Sequence, residues 1–266
     1  MSSSNVFWTL FKYEYKAVFA NRKLGRKNKM PQKVWLVYAA LLYIAFLGFA
    51  VYATYHHWNF QLRNIWFFTL GLPWMLFGFG ISSIKNEWEN STEGWWLTLP
   101  YSRIMLIGAK YIAALFKTLF ILIVIYALAI VYAILYGACI SVWQGGYPLH
   151  EVTQFIMSGF WWYLFLIGLM PLMVSIGVLV GVIKYSTAKY ISPLIYIFMF
   201  ILGYGMYGGL GLFNQKHNLY TVFSGEISPG SSPFPVVFIY FMIAGWVLAY
   251  LMVRFSGYLL KNRLDL

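Results

Sequence analysis

Charged side chains make up only 10% of this 266-residue sequence, against 61% hydrophobic and 21% aromatic residues. That is too little polar surface to cover a soluble globule, so the chain is expected in a bilayer. Acid is scarcer than base: seven Asp and Glu stand against 19 Lys and Arg, and the sole aspartate is Asp265. This scarcity removes reaction classes built on carboxylates. An aspartate-dependent lipid phosphotransferase has nothing to work with, a membrane protease of the Glu-Glu-x-x-x-Arg type lacks its adjacent glutamates, and no acid lies inside a span to relay protons. The single cysteine, Cys139, excludes an intrachain disulfide and a metal site made of thiolates alone, and reads as a small apolar residue near a helix end. A G-x-x-x-x-G-K-[ST] loop is missing too, since Gly108-Ala-Lys110 lacks both the preceding glycine and the following hydroxyl residue. Any nucleotide hydrolysis must therefore come from another polypeptide. The net charge of +12 does not indicate nucleic acid, because the basic residues flank apolar runs and do not gather on a polar face.

What is present is a series of apolar runs. About 20 residues cross a hydrocarbon core, and six segments reach that length: Val34–Thr54, Asn64–Ile84, Met105–Leu135, Phe155–Ile183, Tyr190–Leu212 and Phe234–Val253. The expected fold is an all-α membrane protein of one domain. In it, residues 1–33 form an interfacial segment, 34–253 a six-helix bundle and 254–266 a tail. The third and fourth runs are overlong, which implies tilt, bending or extension beyond the bilayer. Sixteen Lys and Arg fall on the side of the termini and only Arg63 and Lys216 on the other, with Lys117 inside a run. Both termini are thus expected in the cytoplasm. A stretch of more than thirty residues, polar and basic in character, precedes the first run, which is not the layout of a secretory signal.

Within residues 1–33, Asn5–Ala20 writes as an amphipathic helix. Phe7, Leu10, Phe11, Tyr15, Val18 and Phe19 share one side, and Lys12, Glu14 and Lys16 lie elsewhere. Such a helix suits the inner interface, with its lysines among anionic headgroups, although a solvated basic arm fits the same residues. Asn21–Gln32 reads as a basic connector.

Between the second and third runs lies the long polar stretch Glu87–Arg103. Its acids come first, Trp95, Trp96, Leu97 and Leu99 follow, and Pro100 stops any helix. Asn90, Ser91 or Thr92 is placed to cap that helix, and the three carboxylates Glu87, Glu89 and Glu93 are expected at its positive end. By spacing alone the stretch is either a partner-docking helix or an interfacial one with its tryptophans among headgroups. In Glu87, Glu89, Glu93, Gly94, Leu97 and the run Leu99-Pro100-x-Ser102-Arg103 it resembles the coupling helix of ABC-2 type transporter permeases. Trp95 and Trp96 depart from the smaller or aliphatic residues expected there. The resemblance implies a six-span permease without its own nucleotide site, paired with a second permease copy or homologue. A separate ATPase that binds ATP and magnesium would push on this cytoplasmic helix. It also implies export across a bacterial cytoplasmic membrane, and the near absence of charge in the spans suits a hydrophobic or amphipathic cargo such as a peptide, lipid or drug. A membrane scaffold or sensor that binds a cytoplasmic regulatory partner is the other reading.

Lys117, seven residues after Lys110 on nearly the same helix face, either snorkels to the inner surface or lines a translocation path. His56, His57, His150 and His217 all fall on the outer side without ligand spacing and read as ordinary interfacial histidines. Gly177–Gly181 and Gly205–Gly209 carry small residues four apart, which allow close helix approach within the chain or between copies. Pro171 and Pro193 mark a kink or a helix start. The Tyr136–Gln154 and Asn214–Pro233 segments read as external loops, and the Asn90-Ser-Thr92 sequon lies on the wrong side for glycosylation.

Overall fold

The computed structural model describes residues 3–19, 32–56, 58, 62–144, 146–186, 189–204 and 236–262. All regular structure among them is helical: α1 (Ser3–Phe19), α2 (Gln32–Tyr55), a 3-10 helix (Leu62–Gly71), α3 (Leu72–Glu89), α4 (Glu93–Thr98), α5 (Arg103–Gln144), α6 (Leu149–Lys184), α7 (Ser192–Tyr204) and α8 (Val236–Asn262), with a short 3-10 turn at Lys189–Ile191. Five helical stretches, Leu36–Tyr55, Asn64–Glu89, Arg103–Trp143, Leu149–Lys184 and Met242–Asn262, are long and apolar enough to cross a membrane. The fifth expected span is described only as α7, whose second residue is Pro193. Gly205–Gly209, Asn214–Pro233 and most of the Asn21–Gln32 connector lie outside the described residues.

α6 is the central post. Its most apolar window is 83% buried in protein, against 11% for α2 and 22% for α5. α3, α5, α7 and α8 pack on it, while α1 and α2 pack on α5. Side chains that would fill the space between α3 and α6 are missing: a Cβ on Gly80 would lie 2.3 Å from the Val174 carbonyl oxygen, and one on Gly177 would lie 2.2 Å from that of Phe77. Gly181 meets Ile84 in the same seam. The expected small-residue approach therefore occurs within one chain, between α3 and α6. Pro171 sits inside the continuous helix α6, and the Tyr111 hydroxyl on α5 donates to its carbonyl oxygen at 3.1 Å.

One expectation gains detail and another needs correction. The second span occurs as Asn64–Glu89, in which 3-10 helix leads into α3, with proline in the first turn of α3. Pro73 has no N–H to continue a ladder arriving from upstream, so the α-helix starts afresh there. The 3-10 part is held from the side. The Trp66 indole stacks on Phe155 at 4.5 Å and donates to its carbonyl at 3.0 Å, and the Trp162 indole donates to Thr69 Oγ1 at 2.7 Å. The loop expected at Tyr136–Gln154 is mostly helix, because α5 runs to Gln144 and α6 begins at Leu149. Gly137 stands alone in Tyr136–Gln144 and is carried within the helix, whereas Gly145, Gly146 and Pro148 cluster just after it.

Candidate functional site

The polar stretch folds as a joint between α3 and α5, and each of its residues has a local task. α3 ends at Glu89. Ser91 adopts a positive φ of 52°, and the Ser91 and Thr92 amides donate back to the Trp88 and Glu87 carbonyls at 3.2 and 2.9 Å. Thr92 is the N-cap residue of α4, as one of the three expected candidates, yet its hydroxyl donates to the Glu87 carboxylate and accepts no amide of the helix it precedes. Leu99 and Pro100 end α4. Ser102 opens α5 by accepting the Met105 amide on its carbonyl and hydroxyl oxygens, and the Arg103 guanidinium reaches back to the Leu97 carbonyl. The Leu-Pro-x-Ser-Arg run is thus a stop, a turn, a start and a clasp.

The carboxylates do not gather at the start of α4 as expected. Only Glu93 lies in its first turn, and Glu87 and Glu89 belong to the last turn of α3. Anionic groups there oppose the negative end of the α3 dipole, so each is held by a lysine. Glu89 pairs with Lys85 one turn back at 2.9 Å, on the surface.

Glu87 is held by Lys110, which carries the joint. This residue on α5 is 2% exposed, and its ammonium lies 2.7 Å from Glu87 Oε1, 2.8 Å from Glu14 Oε2 and 4.9 Å from the centre of the Trp96 ring. One cation therefore ties together α1, α3, α4 and α5. Glu14, expected away from the apolar side of α1, is only 7% exposed, because α1 turns it toward Lys110. Phe7 beside Gly108 and Phe11 against Phe116, at 5.5 Å between rings, complete the α1 contact, while Lys12 and Lys16 remain exposed.

α4 is two-faced. Trp96 and Leu97 are buried among Ile84, Leu106, Ile107 and Val182, and Trp88 leans on Trp96 while stacking on Tyr185 at 4.5 Å. Burial, with the Glu89 carboxylate nearby, raises the Tyr185 phenol above its ordinary pKa against the lowering effect of Lys85. Gly94, Trp95, Thr98, Pro100 and Ser102 face outward, and the 55% exposed Trp95 meets the Tyr13 ring of α1 at 5.9 Å. Among the described residues, Glu93 Oε2 and Trp96 Nε1 are buried without hydrogen-bond partners, a cost set against the apolar packing of the joint. Lys117 lies 5.0 Å from the centre of the Phe79 ring, away from this joint. His56 and His150 are exposed, and no metal-holding cluster of His, Cys, Asp or Glu occurs among the described residues.

Reading the sequence missed Lys110 and Glu14 as partners. A signal existed: Glu14 is the only acid before Glu87, and Lys110 is one of two lysines inside the apolar run of α5, two turns from its start. Such groups are rarely buried unless paired.

Comparison with curated proteins and with solved structures gave no match. Residues 18–255, however, match the family model described as ABC-2 family transporter protein. That match covers most of the chain, which accordingly belongs to the ABC-2 transporter family and is a multi-pass membrane transporter protein.

Proposed function

We propose that this chain is the membrane-spanning permease subunit of an ABC-2 type exporter of a bacterial cytoplasmic membrane, driven by a separate ATPase. The observation that carries this reading is the Lys110 tie. A force on the exposed edge of α4, at Gly94 and Trp95, passes through Trp96 and Glu87 into α5, and through Glu14 into α1. A partner's groove would take the Trp95 ridge, while Glu89, exposed at its end, would help set the orientation. The ATP and magnesium stay on that partner. The basic residues crowd the end of the bundle that carries the joint, which supports a cytoplasmic location for it and for both termini.

The active unit in this reading is two permeases with two ATPases, and cargo crosses between the permeases. The spans contain little charge, so the cargo is hydrophobic or amphipathic: a peptide, a lipid or a drug-like molecule. Lys117 is the candidate residue on the translocation path. Closure of the ATPases has to favour one of two discrete packings of the bundle over the other.

The test is to purify the chain from its native membrane with its bound subunits and measure ATP hydrolysis and export in vesicles. Trp95→Ala, on the exposed edge of α4, and Glu89→Lys, at the exposed end of α3, should uncouple hydrolysis from export while the melting temperature stays put. Unchanged coupling in both variants, or recovery of the chain with no ATPase, would sink the proposal.

A further inference from the structure

At the same end of the bundle a cleft of about 950 Å³ opens between α5 and α8, and its floor reaches Pro171 of α6. One wall is a single stripe of α5: Ile104, Gly108, Tyr111 and Leu115 recur every three to four residues along it. That stripe is about 16 Å long at the rise of an α-helix, which matches the depth of one hydrocarbon leaflet, about 15 Å. Trp246 and Val253 of α8 form the facing wall, and the Trp246 indole is already engaged, donating to the Gly168 carbonyl at 2.8 Å. Among the described lining residues, the Tyr111 hydroxyl is bonded to Pro171, Ser102 and Tyr250 bring two more hydroxyls, and the rest of the wall away from Arg254 is predominantly apolar.

Charge enters only at the mouth. Arg254 sits there, exposed, with its guanidinium against the Tyr250 ring and its Nε donating to the Tyr250 hydroxyl at 2.9 Å. Among the described residues it has no acidic partner, and no acid lines the cleft. A guanidinium has five N–H donors and is suited to hold a phosphate by two at once. A slot one leaflet deep, apolar inside and carrying one unpaired cation at its rim, has the chemistry of one kind of molecule.

We propose that the α5–α8 cleft is a binding site for an anionic phospholipid, with its acyl chain along Gly108–Leu115 and its phosphate on Arg254. Phe7 of α1 also lines the cleft, so an occupied site braces α1 against α5. Occupancy therefore follows the anionic lipid content of the leaflet at this end of the bundle. This proposal does not depend on an ATPase or on transport.

The experiment is native mass spectrometry of the full chain in detergent, titrated with phosphatidylglycerol and, separately, with phosphatidylcholine of the same chains. The native chain should retain one phosphatidylglycerol about tenfold more tightly than phosphatidylcholine. Arg254→Gln should erase that preference and Arg254→Lys should keep part of it, since the group is exposed and neither change disturbs packing. Ile112→Trp, which fills the cleft wall, should weaken both lipids. Equal affinity for the two lipids in the native chain, or a preference unaltered in Arg254→Gln, would overturn the site. So would efficient disulfide cross-linking of Ile112→Cys between two copies in a Cys139→Ala background, because a second protein would then occupy the cleft.

Discussion

Lys110 and Glu87 are 2.7 Å apart across the joint between α3 and α5, in a place where the lysine is almost fully buried. Removing one member of a buried pair leaves the other charge unpaired, which costs about 3–5 kcal/mol, while removing every member is often neutral. Lys110→Met should therefore lower thermal stability sharply and expose α1 to protease. The triple variant with Glu14→Gln and Glu87→Gln should recover most of the loss. A small effect of Lys110→Met in a melting measurement would mean that the tie is not structural.

The neighbouring tryptophans of α4 should separate cleanly. Trp96 is buried and Trp95 is more than half exposed. Trp96→Ala should cost about 3–5 kcal/mol, in the range of large aromatic truncations in a core. Trp95→Ala should leave the melting curve in place and act only on the coupled ATPase rate. Both changes acting on stability alone would argue that α4 is a packing element without a partner.

Gly80 and Gly177 allow the backbones of α3 and α6 to touch. Gly177→Val places side-chain atoms where the Phe77 carbonyl already is, and overpacking of that kind costs about 1–3 kcal/mol or more. Gly78→Ala is the control, because nothing lies within 4 Å of its added Cβ. Yield after detergent extraction and melting temperature should fall for the first variant and hold for the second.

Orientation can be read with thiols. In a Cys139→Ala background, Gly146→Cys, in the exposed turn between α5 and α6, should react with a membrane-impermeant maleimide in intact cells. Asn86→Cys, exposed near the end of α3, should react only after permeabilisation. The reverse pattern would invert the topology deduced from Lys and Arg.

Five of the six apolar runs announced their spans because hydrocarbon leaves the backbone few alternatives to a helix. Pro100 likewise signalled a stop through chemistry local to a few residues, and Ser102 turned out to open the next helix. The partners of Lys110 were a different matter. Glu14 lies 96 positions away, and whether a carboxylate points to water or to a cation is decided by how α1 docks on α5, which no periodicity encodes. The 3-10 stretch was hidden for a similar reason, since Trp66 and Thr69 hold it only once α6 is alongside. The end of α5 lies beyond the expected run because absence of Lys and Arg tells the side of a segment and not its conformation, and the helix continues to Gln144.

The arrangement around α6 has a consequence for how the protein meets membranes of different thickness. A hydrophobic mismatch acts through lipid contact. α6 is sheathed in protein along most of its length and feels little of it, whereas α2, whose described residues are mostly exposed and which packs mainly on α5, offers much more of its surface outward. A thinner bilayer therefore asks α2 to lean while the central helix stands upright. The angle between α2 and α5 becomes a gauge of the membrane that surrounds them.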